Sequence, residues 1–170
     1  NISILPSPPA PADFAVSNLS CGSDIVSNEE LFYSFEIHNL RGPVNGETFS
    51  WTLELIDANG AMVIEIDSSS LSTFAKYGQI VLERASSTFI DSGTASGAYA
   101  CRVMVNMDGI VMEDELMNNE LTGESFNIQN EDELWANDVD RDGYNTTDTG
   151  DGMVDDCPEK YGESFGDRYG

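Results

Sequence analysis

Phe49, Trp51, Leu53 and Leu55 occupy every second position of a run whose other members are Ser50, Thr52 and Glu54. That period of two governs most of the chain. Alternation sends apolar side chains to one face of an extended segment and polar ones to the other, which describes a half-buried β-strand and not an amphipathic helix. Leu31, Tyr33, Phe35 and Ile37 repeat the pattern against Phe32, Ser34, Glu36 and His38, which places the histidine on an outward position. Tyr99, Cys101, Val103 and Val105 repeat it again, with Arg102 and Met104 opposite. Phe14 and Val16, then Leu19 and Cys21, open the series, and Phe126 and Ile128 close it. Turn signals separate the runs: Asn45-Gly46, Asn59-Gly60 before Met62, Ile64 and Ile66, and Asp108-Gly109. A serine-rich passage at residues 68–73 leads through Phe74 to Ile80 and Leu82 and reads as an insertion. Seven or eight short strands between residues 13 and 130, with no helical period, predict an all-β fold. It is an antiparallel β-sandwich of the immunoglobulin-like kind, with Trp51 as a core anchor.

Composition narrows the partners. Forty per cent hydrophobic residues in a chain of 170 support one ordinary core plus an appendage. A net charge of −24 excludes nucleic acid as a default partner, because phosphates would be repelled, and it suits divalent cations instead. No run of 18 apolar residues exists to span a membrane. Without an initiator Met or a signal peptide, the sequence reads as a mature or excised segment.

Both ends differ from the middle. Residues 1–12 contain Pro6, Pro8, Pro9 and Pro11, which predict a stiff, extended spacer. It reads either as an interdomain linker or as a strand, carried by Ile2, Ile4 and Leu5, donated to an open sheet edge of a neighbouring copy. Residues 131–170 hold 13 acidic and 3 basic side chains. Asp138, Asp140 and Asp142 followed by Gly143 are the opening of a calcium loop, with the Tyr144 carbonyl as the next ligand. Thr149 stands where an EF-hand has its bidentate glutamate, so closure falls to Asp148 or Asp151. A second set, Asp148, Asp151, Asp155 and Asp156, shares ligands with the first and would hold a second Ca²⁺ beside it. The alternative is a solvated, disordered acidic linker. Calcium loops filled at millimolar calcium place the chain outside the cell or on its surface. Sequons at Asn1, Asn18 and Asn145 permit N-linked glycans there.

Several stretches carry a family resemblance: Phe14-Ala-Val-Ser, Ile37-His-Asn-Leu, and Gly97-Ala-Tyr-Ala-Cys-Arg-Val-Met-Val followed by the segment from Gly109 to Glu120. Over residues 13–130 the chain resembles the CARDB module, an immunoglobulin-like domain of bacterial and archaeal surface proteins linked to cell adhesion. Such modules close on a signature of glutamates and paired asparagines, matched here by Val111, Glu113, Glu115, Asn118 and Asn119. The resemblance makes Glu113, Asp114 and Glu115 structural residues. Residues 131–170 are similar to thrombospondin type-3-like calcium repeats, as found in secreted proteins of marine archaea. There a cysteine commonly follows the Asp-Arg-Tyr-Gly element and pairs with the one before proline. Gly170 is the last residue of that element here, so the partner of Cys157 lies beyond it or on another chain.

Cys21 and Cys101 both fall on inward strand positions and predict a disulfide between the first and penultimate strands. Reduced, they would be two small buried hydrophobes. His38 is the only histidine and lies on an outward strand position, so no zinc site or Ser-His-Asp arrangement can be assembled. No phosphate-cradling glycine loop occurs, and Lys76 and Lys160 lack a supporting constellation. The sequence therefore reads as a non-enzyme: a structural extracellular module of a surface stalk or filament, stiffened by calcium and joined to copies of itself. Two rival readings are a ligand-binding adhesin, with Phe32, Phe74 and Tyr77 as exposed aromatics, and an accessory domain of a secreted hydrolase.

Overall fold

The computed structural model describes residues 10–130. Nine strands follow in order: β1 (Phe14–Cys21), β2 (Ile25–Val26), β3 (Glu30–Asn39), β4 (Val44–Asp57), β5 (Met62–Ala75), β6 (Gln79–Phe89), β7 (Gly97–Val105), β8 (Glu120–Thr122) and β9 (Phe126–Gln129). They form two sheets, β1-β3-β6 and β2-β9-β7-β4-β5, with β8 also on β7. Two sheets face to face bury the inward half of each alternating strand. Phe14, Leu31, Phe35 and Ile37 come from one sheet, and Phe49, Leu53, Leu55, Val103 and Val105 from the other; all are essentially inaccessible. Aromatic pairs cross the layer boundary, Phe14 against Phe49 at 4.2 Å and Phe35 edge-on to Trp51 at 5.3 Å between ring centroids. Trp51 is buried in the core, as its strand position predicts.

Nine strands stand where the sequence predicts seven or eight. The difference lies at the edges. β8 and β9 pair successive stretches of β7, Arg102–Met104 and Gly97–Tyr99, and together make up one interrupted strand beside it. β2 is a two-residue strand that follows β1 in the chain but pairs parallel with β9, so the consecutive strands β1 and β2 belong to different layers.

The phase change between Val16 and Leu19 has a backbone cause. Three steps on β1, Ser17 to Ser20, face two on β3, Glu36 to Ser34. The extra residue is taken up at Asn18, whose φ is 52°. Such a bulge flips the inward set by one position, which is why Phe14 and Val16 are followed by Leu19 and Cys21.

Two expectations need correction. Asn45-Gly46 is not a turn: β4 begins at Val44 and pairs with β5 on both sides of it. Gly46, at φ 87°, forms a bulge within the ladder, and the Phe74 ring lies over it where a Cβ would stand. The serine-rich passage, read as an insertion, is continuous strand. Residues 68–73 belong to β5 and stay in register with β4, from Ser68 opposite Thr52 to Ser72 opposite Thr48. Low β-propensity serines are tolerated because β5 is an outer strand with little to bury. The Asn59-Gly60 hairpin forms as predicted. Asp57 Oδ1 accepts the Ala61 and Asn59 amide hydrogens, which hold its carboxyl below the usual range.

Candidate functional site

The sequence-predicted calcium ligands Asp138, Asp140, Asp142, Tyr144, Asp148, Asp151, Asp155 and Asp156 lie outside the described residues, as do Ile2, Ile4, Leu5, Cys157 and the sequons at Asn1 and Asn145. Among the described residues no group of three or more His, Cys, Asp or Glu side chains is placed to hold a metal ion. No helix long and apolar enough to cross a membrane occurs among them. Cys21 and Cys101 are joined in a disulfide with 6.0 Å between Cα atoms, tying β1 in one sheet to β7 in the other.

His38 is half-buried on the outer face of β1-β3-β6 and not simply outward in solvent. Its Nε2 lies 2.8 Å from Glu36 Oε2, which also accepts a hydrogen bond of 2.9 Å from Asn18 Nδ2. Asn18 is thus both the bulge residue and a sequon. Glu83 stands directly across from Glu36 in the ladder, beside a shallow depression of about 390 Å³ lined by Asn18, Ser34 and Ala85. No serine or cysteine hydroxyl or thiol among the described residues is hydrogen-bonded to His38.

At the leading pole, where the chain comes in, residues 10–13 run between two loops. Gly42 donates to the Pro11 carbonyl at 2.8 Å and Leu40 to the Asp13 carbonyl at 2.7 Å; on the other side Asp114 donates to the Ala12 carbonyl at 3.3 Å. A Cβ on Gly42 would overlap the Ala10 carbonyl. Beneath this segment sits a polar hub. Glu113 accepts the Phe14 amide hydrogen at 2.6 Å, Asn119 Nδ2 at 2.7 Å, and Asn106 Nδ2. Asp13, itself buried, accepts from Asn118 Nδ2 at 2.8 Å, and Arg41 bridges Asp13 and Asp114. Burial pushes the Glu113 carboxyl above its ordinary value, against the pull of those three hydrogen bonds. The signature residues therefore divide by role. Glu113, Asn118 and Asn119 build the hub, whereas Glu115 is exposed and receives only the Leu116 and Met117 amides.

The loop that carries this hub also exposes Met107, Ile110, Met112, Leu116 and Met117. Sequence reading missed that apolar pole, because the same residues alternate with charges and look like part of a hairpin. At the trailing pole, Asn130 donates to the Ser92 and Thr94 carbonyls at 3.0 and 2.8 Å, in the loop that precedes β7. β7 runs from that loop to the hub, so the described chain comes in at one end of the sandwich and leaves at the other.

The long sides differ too. On the β1 side the layers are joined by the Cys21–Cys101 bond, the chain crossing from β1 to β2 and a Val16 amide to Asn118 carbonyl bond of 3.1 Å. On the other side β5 and β6 are the outermost strands of their sheets. One polar tie spans them: Asp67 Oδ2 on β5 accepts from Tyr33 Oη at 2.7 Å and from Arg84 Nε at 2.9 Å. Burial, then the Asp67 bond, raises the Tyr33 hydroxyl above its usual range, and Asp67 holds Arg84 still more firmly protonated.

The three candidate aromatics are all exposed, but they do not share a patch. Phe32 pairs with Ser87 near the trailing end of β3, and Tyr77 lies in the turn beyond the Asn39–Gln79 pair. Seven ladder positions separate them, or about 23 Å at strand spacing.

No family model matches the sequence, and no curated protein matches it. Among solved structures, the chain is similar to the CARDB domain of the PF1109 protein from Pyrococcus furiosus, in complex with di-metal ions. Identity is 18%, over 70% of this chain and 94% of that one, with a TM-score of 0.51. A solution NMR structure of the same domain matches at 16% identity over 72% of this chain and 99% of that one, at a TM-score of 0.48. A Pseudomonas fluorescens alkylpurine DNA glycosylase bound to DNA matches at 16% identity, over 69% of this chain and 31% of that one, at a TM-score of 0.43. At such identities the likeness is one of fold, and the fold is that of a CARDB-like β-sandwich.

Proposed function

We propose that this chain is a structural, cell-adhesion-related module of the extracellular surface, a rigid link in a stalk or filament and not an enzyme. The observation that supports this most is the separation of its ends: Ala12 is bridged to Glu113 at one pole, and Asn130 is bonded to Ser92 and Thr94 at the other. A sandwich threaded end to end transmits tension along its strands. β7 alone, nine residues, spans about 27 Å between the poles. The disulfide and the Glu113 hub fasten the first strand at both of its ends, as a link under load requires.

Calcium completes the proposal from the sequence alone. Residues 131–170, which follow Asn130 in the sequence, carry a surplus of ten negative charges, 13 acidic minus 3 basic. Ca²⁺ held by Asp138, Asp140, Asp142 and the Tyr144 carbonyl, with Asp148, Asp151, Asp155 and Asp156 closing the set, would remove that repulsion. Folding of the segment and ion binding would then be one event. The test is limited proteolysis with and without a calcium chelator. Cleavage within residues 138–156 should rise sharply on chelation while residues 13–130 stay resistant; a digestion pattern indifferent to chelator overturns the calcium reading.

A further inference from the structure

The fold leaves one long ladder unfinished. β5 pairs with β4 and, among the described residues, with no other strand. Natural edge strands are usually blunted by charge, proline or a bulge of their own, because a bare edge templates further pairing. β6 carries Glu83 and Arg84 at mid-strand, and β1 is bulged and bonded to the loop of Asn118. The second half of β5, Ser-Ser-Ser-Leu-Ser-Thr-Phe-Ala from Ser68, has neither a charge nor a proline. Ser68, Ser69 and Ser70 are exposed in succession, so both faces of the strand are open there. Beside that edge Leu71 on β5 and Val81 and Leu82 on β6 are only partly covered.

One segment of the same chain has the matching chemistry. Residues 1–12 contain no charged side chain in a protein of net charge −24. Asn-Ile-Ser-Ile-Leu is the length of a short strand, roughly 17 Å, and Pro6, lacking an N–H, ends any ladder it enters. The prolines between 6 and 11 predict a stiff spacer of roughly 19 Å at the polyproline rise, and the Pro11 carbonyl at its end is held by the Gly42 amide at the leading pole. A spacer of that composition disfavours folding back onto the same copy. Resting on the reading of this chain as a self-assembling structural module, we propose that residues 1–5 of one copy add as a strand to the outer edge of β5, at residues 68–74, of a second copy. Ile2 and Ile4 then cover Leu71, Val81 and Leu82. Donor and acceptor are different surfaces, so the contact is head-to-tail and propagates unless it closes into a ring.

The test uses two variants of the full chain, Ile2→Lys/Ile4→Lys as a failed donor and Ser69→Lys/Ser70→Lys as a failed acceptor. Sedimentation velocity in calcium reads association, and circular dichroism with thermal unfolding confirms the fold. Both variants make the chain less negative, so lost association cannot be assigned to general repulsion. Each variant alone should be weakened on the order of tenfold or more in association relative to the parent. Mixed in equal amounts, they should form a dimer and stop, since one good donor then meets one good acceptor. A parent chain that stays monomeric, variants that associate like it, or a mixture that forms no dimer would each overturn the proposal. Residues 138–156 are unchanged in both variants, so chelator-dependent cleavage there reports separately on the calcium reading.

Discussion

Glu113 accepts the Phe14 amide hydrogen at 2.6 Å, joining residues 99 positions apart and fixing where the first strand begins. The same carboxylate takes side-chain amide hydrogens from Asn106 and Asn119. Three donors converge on one acceptor, so the group that replaces it must accept as well. Glu113→Gln presents an amide nitrogen to one of those donors, and Glu113→Ala strands all three. Stranding a buried donor costs about 1–3 kcal/mol, so both variants lower the urea midpoint, Ala more than Gln. The pH dependence has a definite sign. Burial raises the folded carboxyl above its unfolded value, so its contribution is fully present below the ordinary glutamate range and is lost as pH rises through the raised value. Comparing urea stability across that window in parent and Glu113→Gln should show the slope flatten in the variant; equal slopes would remove Glu113 as its source.

Tyr33 and Asp67 give a second titration, at the opposite end of the scale. The hydroxyl is raised by burial first and by the Asp67 carboxylate next. Because the folded value lies above the unfolded one, the stabilisation holds below pH about 10 and is lost as pH rises past it. Asp67→Asn should lower the Tyr33 titration seen by tyrosinate absorbance yet leave it above the exposed tyrosines, since burial remains. A Tyr33 midpoint unmoved by the substitution would show that the tie across β5 and β6 does not form in solution.

What could be read in advance divides along physical lines. The inward set of β3, β4 and β7 was legible because a period of two leaves only one way to bury Leu31 to Ile37 or Phe49 to Leu55. Even the Asn18 bulge left a trace, in the offset from Val16 to Leu19. Gly46 misled because a left-handed glycine serves a turn and a bulge equally well, and only strand pairing on both sides distinguishes them. The serines of β5 misled because propensity cannot foresee an edge strand held by its neighbour Phe49 to Thr52. The Glu113 hub was visible only as a family-like signature, since nothing local says that residues 13, 14, 41, 106, 113, 114, 118 and 119 meet.

Cys21 and Cys101 close a loop of 80 residues. A crosslink of that span restricts the unfolded chain and stabilises by about 2–4 kcal/mol. Replacing both with Ala should lower the thermal midpoint without changing the sheet signal in circular dichroism. Cys101 is fully buried, so the single variant Cys21→Ala should leave a thiol that is unreactive toward alkylation until the chain unfolds. Rapid labelling of that thiol under native conditions would contradict the packing of β1 on β7.

Gly42 and Gly60 separate two reasons for glycine. Gly60 has φ 79° and nothing within 4 Å of a would-be Cβ, so Gly60→Ala costs only backbone conformation, roughly 1–2 kcal/mol. Gly42 is in an ordinary backbone region, but its would-be Cβ falls on the Ala10 and Pro11 backbone. Gly42→Ala must therefore push the incoming segment off its seat, at the cost of the Gly42 amide bond to the Pro11 carbonyl and an overpacking penalty of about 1–3 kcal/mol. The two variants lose similar stability and differ in where the chain opens. Limited proteolysis should show new cleavage near residue 10 in Gly42→Ala and none there in Gly60→Ala. Because Ala10 and Pro11 in that seat lead directly into residues 1–5, Gly42→Ala should also weaken association of the full chain, whereas Gly60→Ala leaves it unchanged. If both variants were cleaved alike, the loop of Leu40 to Gly42 would not be what holds the leading segment in place.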